Sequence, residues 1–370
     1  MKKICSIILA ASLAAFCLAG CGKEAAAPAT TAAQETVTTA ASSAEETTAE
    51  TTAETTAESK ETTAESTEAV AAETKAASAT EGAVRVGSLK GPTSMGLVGM
   101  MDNASYDFTM VAAADELVAK IASKDLDIAL VPANVASVLY NKTSNVKVID
   151  INTLGVLYLV SSDSSLQSIA DLSGKTIYLT GKGTTPDYVL QYLLTSAGVS
   201  LDDVTLEYKS EATEVAAVLK EQPDAIGLLP QPFVTVACMQ NEALKPVMDM
   251  TLEWDKLQGE GGSRLVTGVT IVRSDFLESN PEAVAQFLKD HFASADYANV
   301  NTAEAAEKVA ELEIVAKAAI AEKALPYCNI VCITGEEMKS ALSGYLNVLF
   351  EQEPKSVGGA LPGDDFYYMP

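Results

Sequence analysis

The sequence predicts an α/β fold in two lobes joined by a pair of extended segments. Three observations lead there. From residue 84 onward, short β-branched runs alternate with amphipathic stretches, the pattern of strands covered by helices. The region from 84 to 370 is long for a single sheet. Two strongly extended runs, 155–161 and 265–273, flank a middle block, so that block reads as one lobe inserted into the other. Each lobe is expected to be a mainly parallel sheet flanked by helices, with the extended pair acting as hinge strands.

The chain opens on Lys2 and Lys3, followed by an apolar run over 4–19. With these flanks the run is short for a membrane span and suits a secretory signal peptide, 1–20. It ends in Leu18-Ala19-Gly20-Cys21, which resembles the bacterial lipobox. The resemblance implies diacylglycerol on the Cys21 sulfur and usually an acyl chain on the new amine. Two chains anchor stably where one binds only marginally. The plainer alternative is an ordinary signal peptide with Cys21 incidental, and the scarcity of cysteine favours the lipoprotein.

Residues 21–83 are expected to form a disordered tether. They are Ala, Thr, Glu and Ser with almost no large apolar side chain, and Thr-Thr-Ala-Glu recurs from Thr47, Thr51, Thr55 and Thr62. No unit has an apolar face to bury, so this is low complexity rather than a solenoid. A coil of this length reaches about 40–45 Å, more where like charges repel.

Strands are predicted over 84–89, 108–112, 126–131, 146–151 and 156–161, with helices over 94–101, 115–123 and 134–140 among them. The middle block repeats the unit at 176–179 with 187–197, 205–208 with 213–220, and 225–229 with 233–240. After an extended run over 266–273 the chain turns helical, over 281–297, 303–313 and 335–351. The lobes are accordingly set at 84–158 with 272–370, and at 159–271.

Composition narrows the function. The formal charge is −25; twelve Glu against three Lys between 22 and 81, and the two N-terminal lysines, leave −18 for the rest. Such a chain lacks the Lys/Arg footprint that nucleic acid requires, and the charge serves solubility. Of six cysteines, Cys5 and Cys17 leave with the signal and Cys21 is taken by lipid, so Cys238, Cys328 and Cys332 form no disulfide framework. Cys328 and Cys332 could pair, but their spacing within a helix makes the bridge geometry marginal, and buried thiols are the favoured reading.

Four strings carry a family resemblance. Val86-Gly87-Ser88-Leu89-Lys90-Gly91-Pro92-Thr93 looks like a first strand with a ligand-facing turn, and Asp127-Ile128-Ala129-Leu130-Val131-Pro132-Ala133-Asn134 like a strand delivering a small-residue loop. Asp171-Leu172-Ser173-Gly174-Lys175-Thr176-Ile177 looks like the start of a second lobe, and Leu228-Leu229-Pro230-Gln231-Pro232-Phe233 like the opposite wall. In order and spacing these resemble the solute-binding proteins of ABC transporters in the sulfonate, nitrate, taurine and thiamine-precursor (NMT1/THI5-like) group, of the type II periplasmic-binding-protein fold. Some members have Glu where Gln231 stands, which implies a ligand without that cationic contact here.

Independently, ligands in open α/β sheets sit beyond the C-terminal strand ends. Gly91-Pro92-Thr93-Ser94 and Gly181-Lys182-Gly183-Thr184-Thr185-Pro186 both follow strands and begin helices, a setting that favours anionic oxygens, although Ser and Thr there also cap helices without any ligand. The expected ligand residues are Pro92, Thr93, Ser94, Asn134 and Thr153 from one lobe, and Gly183, Thr184, Thr185 and Gln231 from the other.

Catalytic and metal constellations are sparse. The single histidine, His291, shares a helix face with Val284, Phe287 and Leu288 and reads as structural; no ordinary zinc site can be written. No Gly-x-Ser-x-Gly turn occurs, and Gly174-Lys175-Thr176 lacks the first glycine of a phosphate loop. Trp254 leaves two readings, packing in a core or interface and stacking on a flat ligand. The aromatic C-terminal segment is expected to pack on a lobe. The sequence thus suggests a monomeric, lipid-anchored extracytoplasmic receptor without cofactor, catalytic residue or metal. It would capture a small organic anion or vitamin precursor and deliver it to an ABC permease. The alternatives are a cofactor-precursor enzyme on the same scaffold and a sensory or structural surface lipoprotein.

Overall fold

The computed structural model describes residues 82–370, apart from 223, 260 and 261. The signal peptide, the Cys21 lipid site and nearly all of the tether expected from the sequence lie outside the described residues.

The first lobe begins with β1 (Val84–Leu89), the short α1 (Pro92–Met95), β2 (Tyr106–Val111), α2 (Ala114–Ala122), β3 (Ile128–Pro132), α3 (Ala133–Thr143) and β4 (Val146–Leu154). The chain then enters the second lobe with β5 (Leu157–Ser161), β6 (Thr176–Thr180), α4 (Thr185–Ser196), β7 (Thr205–Lys209), α5 (Ala212–Glu221), β8 (Ile226–Pro230), α6 (Phe233–Gln240), β9 (Lys245–Asp249) and α7 (Met250–Gln258). It returns through β10 (Val266–Arg273), and closes with α8 (Ser274–Ser279), α9 (Pro281–Val300), α10 (Thr302–Glu311), α11 (Ala318–Ala324), β11 (Ile330–Ile333) and α12 (Gly335–Gln352). The fold is therefore the expected two-lobed α/β arrangement, with sheet orders β11-β4-β10-β3-β1-β2 and β7-β6-β8-β5-β9.

Where mainly parallel sheets are expected, both sheets are mixed. β1 pairs in parallel with β2 and β3, and β6 with β7 and β8. The strands beside the crossings run the other way: β10 is antiparallel to β3 and β4, and β5 to β8 and β9. A strand that arrives from the other lobe is not constrained by a right-handed βαβ crossover, so it is free to enter reversed.

The return border also differs from expectation, which assigned 159–271 to the second lobe. β10 lies in the first sheet from Val266 onward, because its apolar Val269, Ile271 and Val272 are fully buried there between β3 and β4. The helix expected over 94–101 shrinks to α1. Beyond it the chain presses on α9, where Gly99 donates its backbone N–H to Ser294 Oγ at 2.9 Å, and a Cβ on Gly99 would come within 3.0 Å of the Ser294 backbone. The sequence reading also left out β9, α7, α11 and β11. It placed Cys328 and Cys332 within one helix, whereas Cys332 sits on β11 and both thiols are free.

The first-lobe core packs Val86, Ile128, Leu130, Ile149 and Val272 against Leu97 and Phe287. The second packs Val160, Val215, Leu219, Leu229 and Val234. Burying each such side chain contributes about 1.5–3 kcal/mol. Beside them Asp127, almost fully buried, accepts Arg85 Nε and Nη2 at 2.9 and 2.6 Å and lies 3.4 Å from Arg273 Nη2, a fork geometry that offsets the cost of burying its charge. The C-terminal aromatics pack on the first lobe as expected, with Phe366 fully buried and 4.9 Å from the Tyr140 ring.

Candidate functional site

The chain crosses between the sheets twice, and the two crossings lie side by side. Gly155 and Val156 join β4 to β5; residues 259–265 join α7 to β10. A Cβ on Gly155 would fall 2.1 Å from Thr251 Oγ1 and 2.7 Å from Leu265 Cδ2, so only glycine allows this approach. The second crossing rests in turn on α12, where a Cβ on Gly344 would meet Ser263 Cβ at 2.5 Å.

Beside the first crossing is a cavity of about 230 Å³. Its first-lobe wall comes from the turn after β1, at Lys90, Pro92 and Thr93, and from the end of β3 at Pro132. Its second-lobe wall comes from the end of β8, at Pro230, Gln231, Pro232 and Phe233. Thr153, Val156 and Thr267 close it on the hinge side. Strand ends of both sheets thus point into one space, the position that α/β sheets reserve for ligands.

Local bonding sets this wall. Gly91 adopts φ 134°, a conformation open to glycine, and its carbonyl accepts the N–H of Ser94 and of Met95 at 3.1 and 3.0 Å. Thr93 Oγ1 and Ser94 Oγ both donate to the Leu89 carbonyl, at 2.8 and 2.5 Å. Gly268 on β10 lets Thr93 and Thr153 approach: a Cβ there would meet Thr93 Cγ2 at 3.0 Å and Thr153 Cβ at 3.3 Å. On the facing side Gln231 N donates to the Val156 carbonyl at 3.0 Å, tying the second-lobe wall to a crossing. Gln231 Oε1 accepts from Thr235 Oγ1 at 2.9 Å, which orients the amide and leaves its Nε2 without a partner among the described residues.

The wall is largely apolar, with four prolines, and Lys90 is the only charged residue on it. Gln231 also lines a second hollow of about 670 Å³ that runs outward between the lobes. There Tyr158 OH donates across to the Tyr327 carbonyl at 3.1 Å, and burial, followed by the charge of Asp249, pushes this phenol well above its usual range.

Of the nine residues expected at the ligand, Pro92, Thr93, Thr153 and Gln231 come together on the wall. The other five do not. Ser94 is fully buried beneath it, bonded to Ser88 and Leu89. Asn134 turns its Nδ2 to the Ser356 carbonyl at 3.5 Å. Gly183 and Thr184 form a turn that is satisfied from within: Thr184 Oγ1 donates to the Gly181 carbonyl at 2.6 Å, and Gly183 N to Asp187 Oδ2 at 2.7 Å. Asp187 also accepts from Tyr208 OH and Gln191 Nε2. Its own carboxylate thus holds the N-terminus of α4, where an anionic ligand was expected, and Thr185 on that first turn stays off the wall. Expectation omitted Lys90 and Phe233, although both stand inside strings that carry the family resemblance.

Trp254 resolves to packing. It is fully buried, 4.9 Å from the Tyr192 ring and 5.6 Å from the Tyr345 ring. His291 is fully buried as a structural histidine should be, yet only half satisfied: Nδ1 lies 3.0 Å from Asp150 Oδ2, and Nε2 has no partner among the described residues.

Comparison with known proteins agrees with this geometry. A family described as NMT1/THI5 like matches residues 143–305. A Brucella abortus protein named as a candidate binding protein is 27% identical over 192 residues, which cover 52% of this chain and 56% of the relative; the match thus spans little more than half the length of the relative. Among solved structures, an ABC transporter protein from Parabacteroides distasonis superposes with a TM-score of 0.67 at 25% identity, covering 78% of this chain and 99% of that one. The periplasmic aliphatic sulphonate binding protein SsuA from Escherichia coli gives 0.63 at 14% identity, covering 78% and 92%, a likeness of fold alone. The chain resembles the NMT1/THI5-like and sulfonate-binding group, and its fold is the two-lobed one of periplasmic binding proteins.

Proposed function

We propose that this chain, with its resemblance to binding proteins of ABC transporters, is the extracytoplasmic solute receptor of an ABC importer. The observation that carries the reading is the cavity at the convergence of β1, β3 and β8, walled by both lobes and closed on the hinge side by Val156 of the first crossing and Thr267 of β10. A solute held by both walls stabilises the closed arrangement over an open one, because its differential affinity for the two shifts the equilibrium. The permease would then read the closed form. The lipobox-like string Leu18-Ala19-Gly20-Cys21 supports retention at the membrane through Cys21, with residues 21–83 as the tether.

The wall favours a small organic anion with a short apolar body. Lys90 supplies the charge, the Gln231 amide and the Thr267 hydroxyl offer polar contacts, and Pro132, Pro230, Pro232 and Phe233 receive the apolar part. A bare inorganic anion such as nitrate would leave those prolines without a partner, and an alkanesulfonate uses both features. A flat pyrimidine precursor is the second reading, favoured by the same prolines and Phe233.

A thermal-shift panel of short alkanesulfonates, nitrate and hydroxymethyl-pyrimidine tests the proposal. A ligand bound only by the folded state raises stability by RT ln(1 + [L]/Kd), about 2.7 kcal/mol at a hundredfold excess over Kd. The expected result is a concentration-dependent rise with a sulfonate. Turnover of the bound compound by the purified protein would instead favour an enzyme on this scaffold.

A further inference from the structure

Away from the cavity, three elements of the first lobe bring together side chains that the sequence keeps far apart. Asp150 lies on β4, His291 on α9 and Cys332 on β11. One donor atom from each falls within 4.8 Å of the other two. We infer that Asp150, His291 and Cys332 form a binding site for a thiophilic divalent cation, for which zinc is the chemical match.

The donor chemistry fits. Sulfur, imidazole nitrogen and carboxylate oxygen are the three ligand types zinc accepts, and three protein ligands leave a fourth position for water. A thiolate with a carboxylate balances a doubly charged cation, so the occupied site is neutral in a place where an isolated charge would be costly. On binding, the Cys332 thiol proton leaves to solvent and the sulfur lone pair goes to the metal. Without metal, burial and the nearby Asp150 charge push this thiol up, so the sulfur keeps its proton.

His291 is fully buried and faces Asp150 through Nδ1, at 3.0 Å. A cation shared by the two takes Nδ1, the ring nitrogen on the side of the carboxylate, and the ring proton then sits on Nε2. Asp150 is itself positioned, its Oδ1 accepting Thr270 Oγ1 at 2.7 Å and Thr270 in turn accepting Asn152 Nδ2, the outer bonding that orients metal ligands.

Two features allow the site to close and fill. Tetrahedral zinc sets its ligand atoms about 3.3–3.8 Å apart, so the cluster contracts by about 1 Å on binding. Cys332 is the member able to move, because β11 is an edge strand whose pairing with β4 is irregular between Ile330 and Ile333. Cys332 also lines a surface hollow of about 500 Å³ together with Leu288, Phe292, Thr334 and Tyr368, which supplies an entry path.

The test is metal titration of the full-length, chelator-stripped protein with zinc, and with cobalt as the spectroscopic probe. One equivalent of cobalt should give a thiolate-to-metal charge-transfer band, which Cys332→Ser abolishes and Cys238→Ser and Cys21→Ser retain. Zinc affinity should fall at least tenfold in Cys332→Ser and in His291→Gln, and Asp150→Asn should weaken it by about 10–100-fold. Absence of the band in the wild-type protein, or its persistence in Cys332→Ser, overturns the proposal. Circular dichroism checks that each variant folds; should Cys332→Ser not fold, the wild-type cobalt spectrum together with His291→Gln decides, and undiminished zinc affinity in His291→Gln counts against the site.

Discussion

The rings of Trp254 and Tyr345 stand 5.6 Å apart, one on α7 of the second lobe and the other on α12 of the first. Both are fully buried, and Trp254 Nε1 donates to the Ser263 carbonyl and hydroxyl in the second crossing, each at 3.2 Å. The pair therefore ties both lobes to one hinge segment. Trp254→Ala is expected to cost about 3–5 kcal/mol, measured as a lower urea midpoint. Trp254 is the only tryptophan of the chain, so its emission in the wild-type protein should be that of a buried indole and resist iodide quenching.

Gly155 has no room for a side chain between Thr251 and Leu265. Gly155→Ala must push the crossings apart, and overpacking of this kind typically costs about 1–3 kcal/mol. Urea unfolding should register that loss with an unchanged slope, while a substitution at the open Gly174 cap, Gly174→Asn, should cost far less.

Thr184 spends its hydroxyl on the Gly181 carbonyl, and Asp187 holds the start of α4. Thr184→Ala and Thr185→Val are therefore expected to leave solute affinity within about twofold, a difference below 0.5 kcal/mol. Calorimetric titration with the strongest ligand from the thermal-shift panel checks this; a tenfold loss would return this turn to the binding site.

Alkaline pH should destabilise the fold in a defined window. Burial, with the charge of Asp364, pushes the Tyr367 phenol up to about 12, and burial pushes the Cys328 thiol up to about 12. Below their ordinary values, about 10 for Tyr and about 8.5 for Cys, both groups are protonated in the folded and the unfolded chain, and the full stability is present. Above them the unfolded chain loses its protons first, so stability falls as pH rises towards the folded values. Each group contributes a slope of about 1.4 kcal/mol per pH unit within its window. Chemical denaturation at pH 7, 8, 10 and 11 should give a midpoint that is flat from pH 7 to 8, falls by pH 10 and falls more steeply by pH 11, with that last fall shallower in Tyr367→Phe.

Strand-helix alternation made the two-lobed fold legible, because each strand carries its own apolar run and each turn its Gly or Pro. The border at β10 was harder to read: Val266–Arg273 is apolar throughout, and such a run does not say which sheet it will join. β11 was hidden because four residues after a helix carry little periodic signal, and with it went the meeting of Cys332 with His291. At the cavity, the first-lobe turn and Gln231 were readable as loops at strand ends. The α4 turn misled because its glycines and threonines look alike whether they hold a ligand or the Asp187 carboxylate, and only the hydrogen bonds distinguish the two cases. Lys90 is absent from the expected ligand residues because nothing local marks it as the one charge on a wall built from distant segments.

The most direct test of the receptor reading is calorimetric titration of one panel ligand into the wild-type protein, Lys90→Met and Gln231→Ala, which alter opposite lobes of the same cavity. The account predicts a Kd raised at least tenfold in each variant, with folding stability nearly unchanged in Lys90→Met and lowered by about 1–3 kcal/mol in Gln231→Ala, where the Thr235 hydroxyl loses its acceptor. An undiminished affinity in both would place the solute outside the space between the lobes and contradict it.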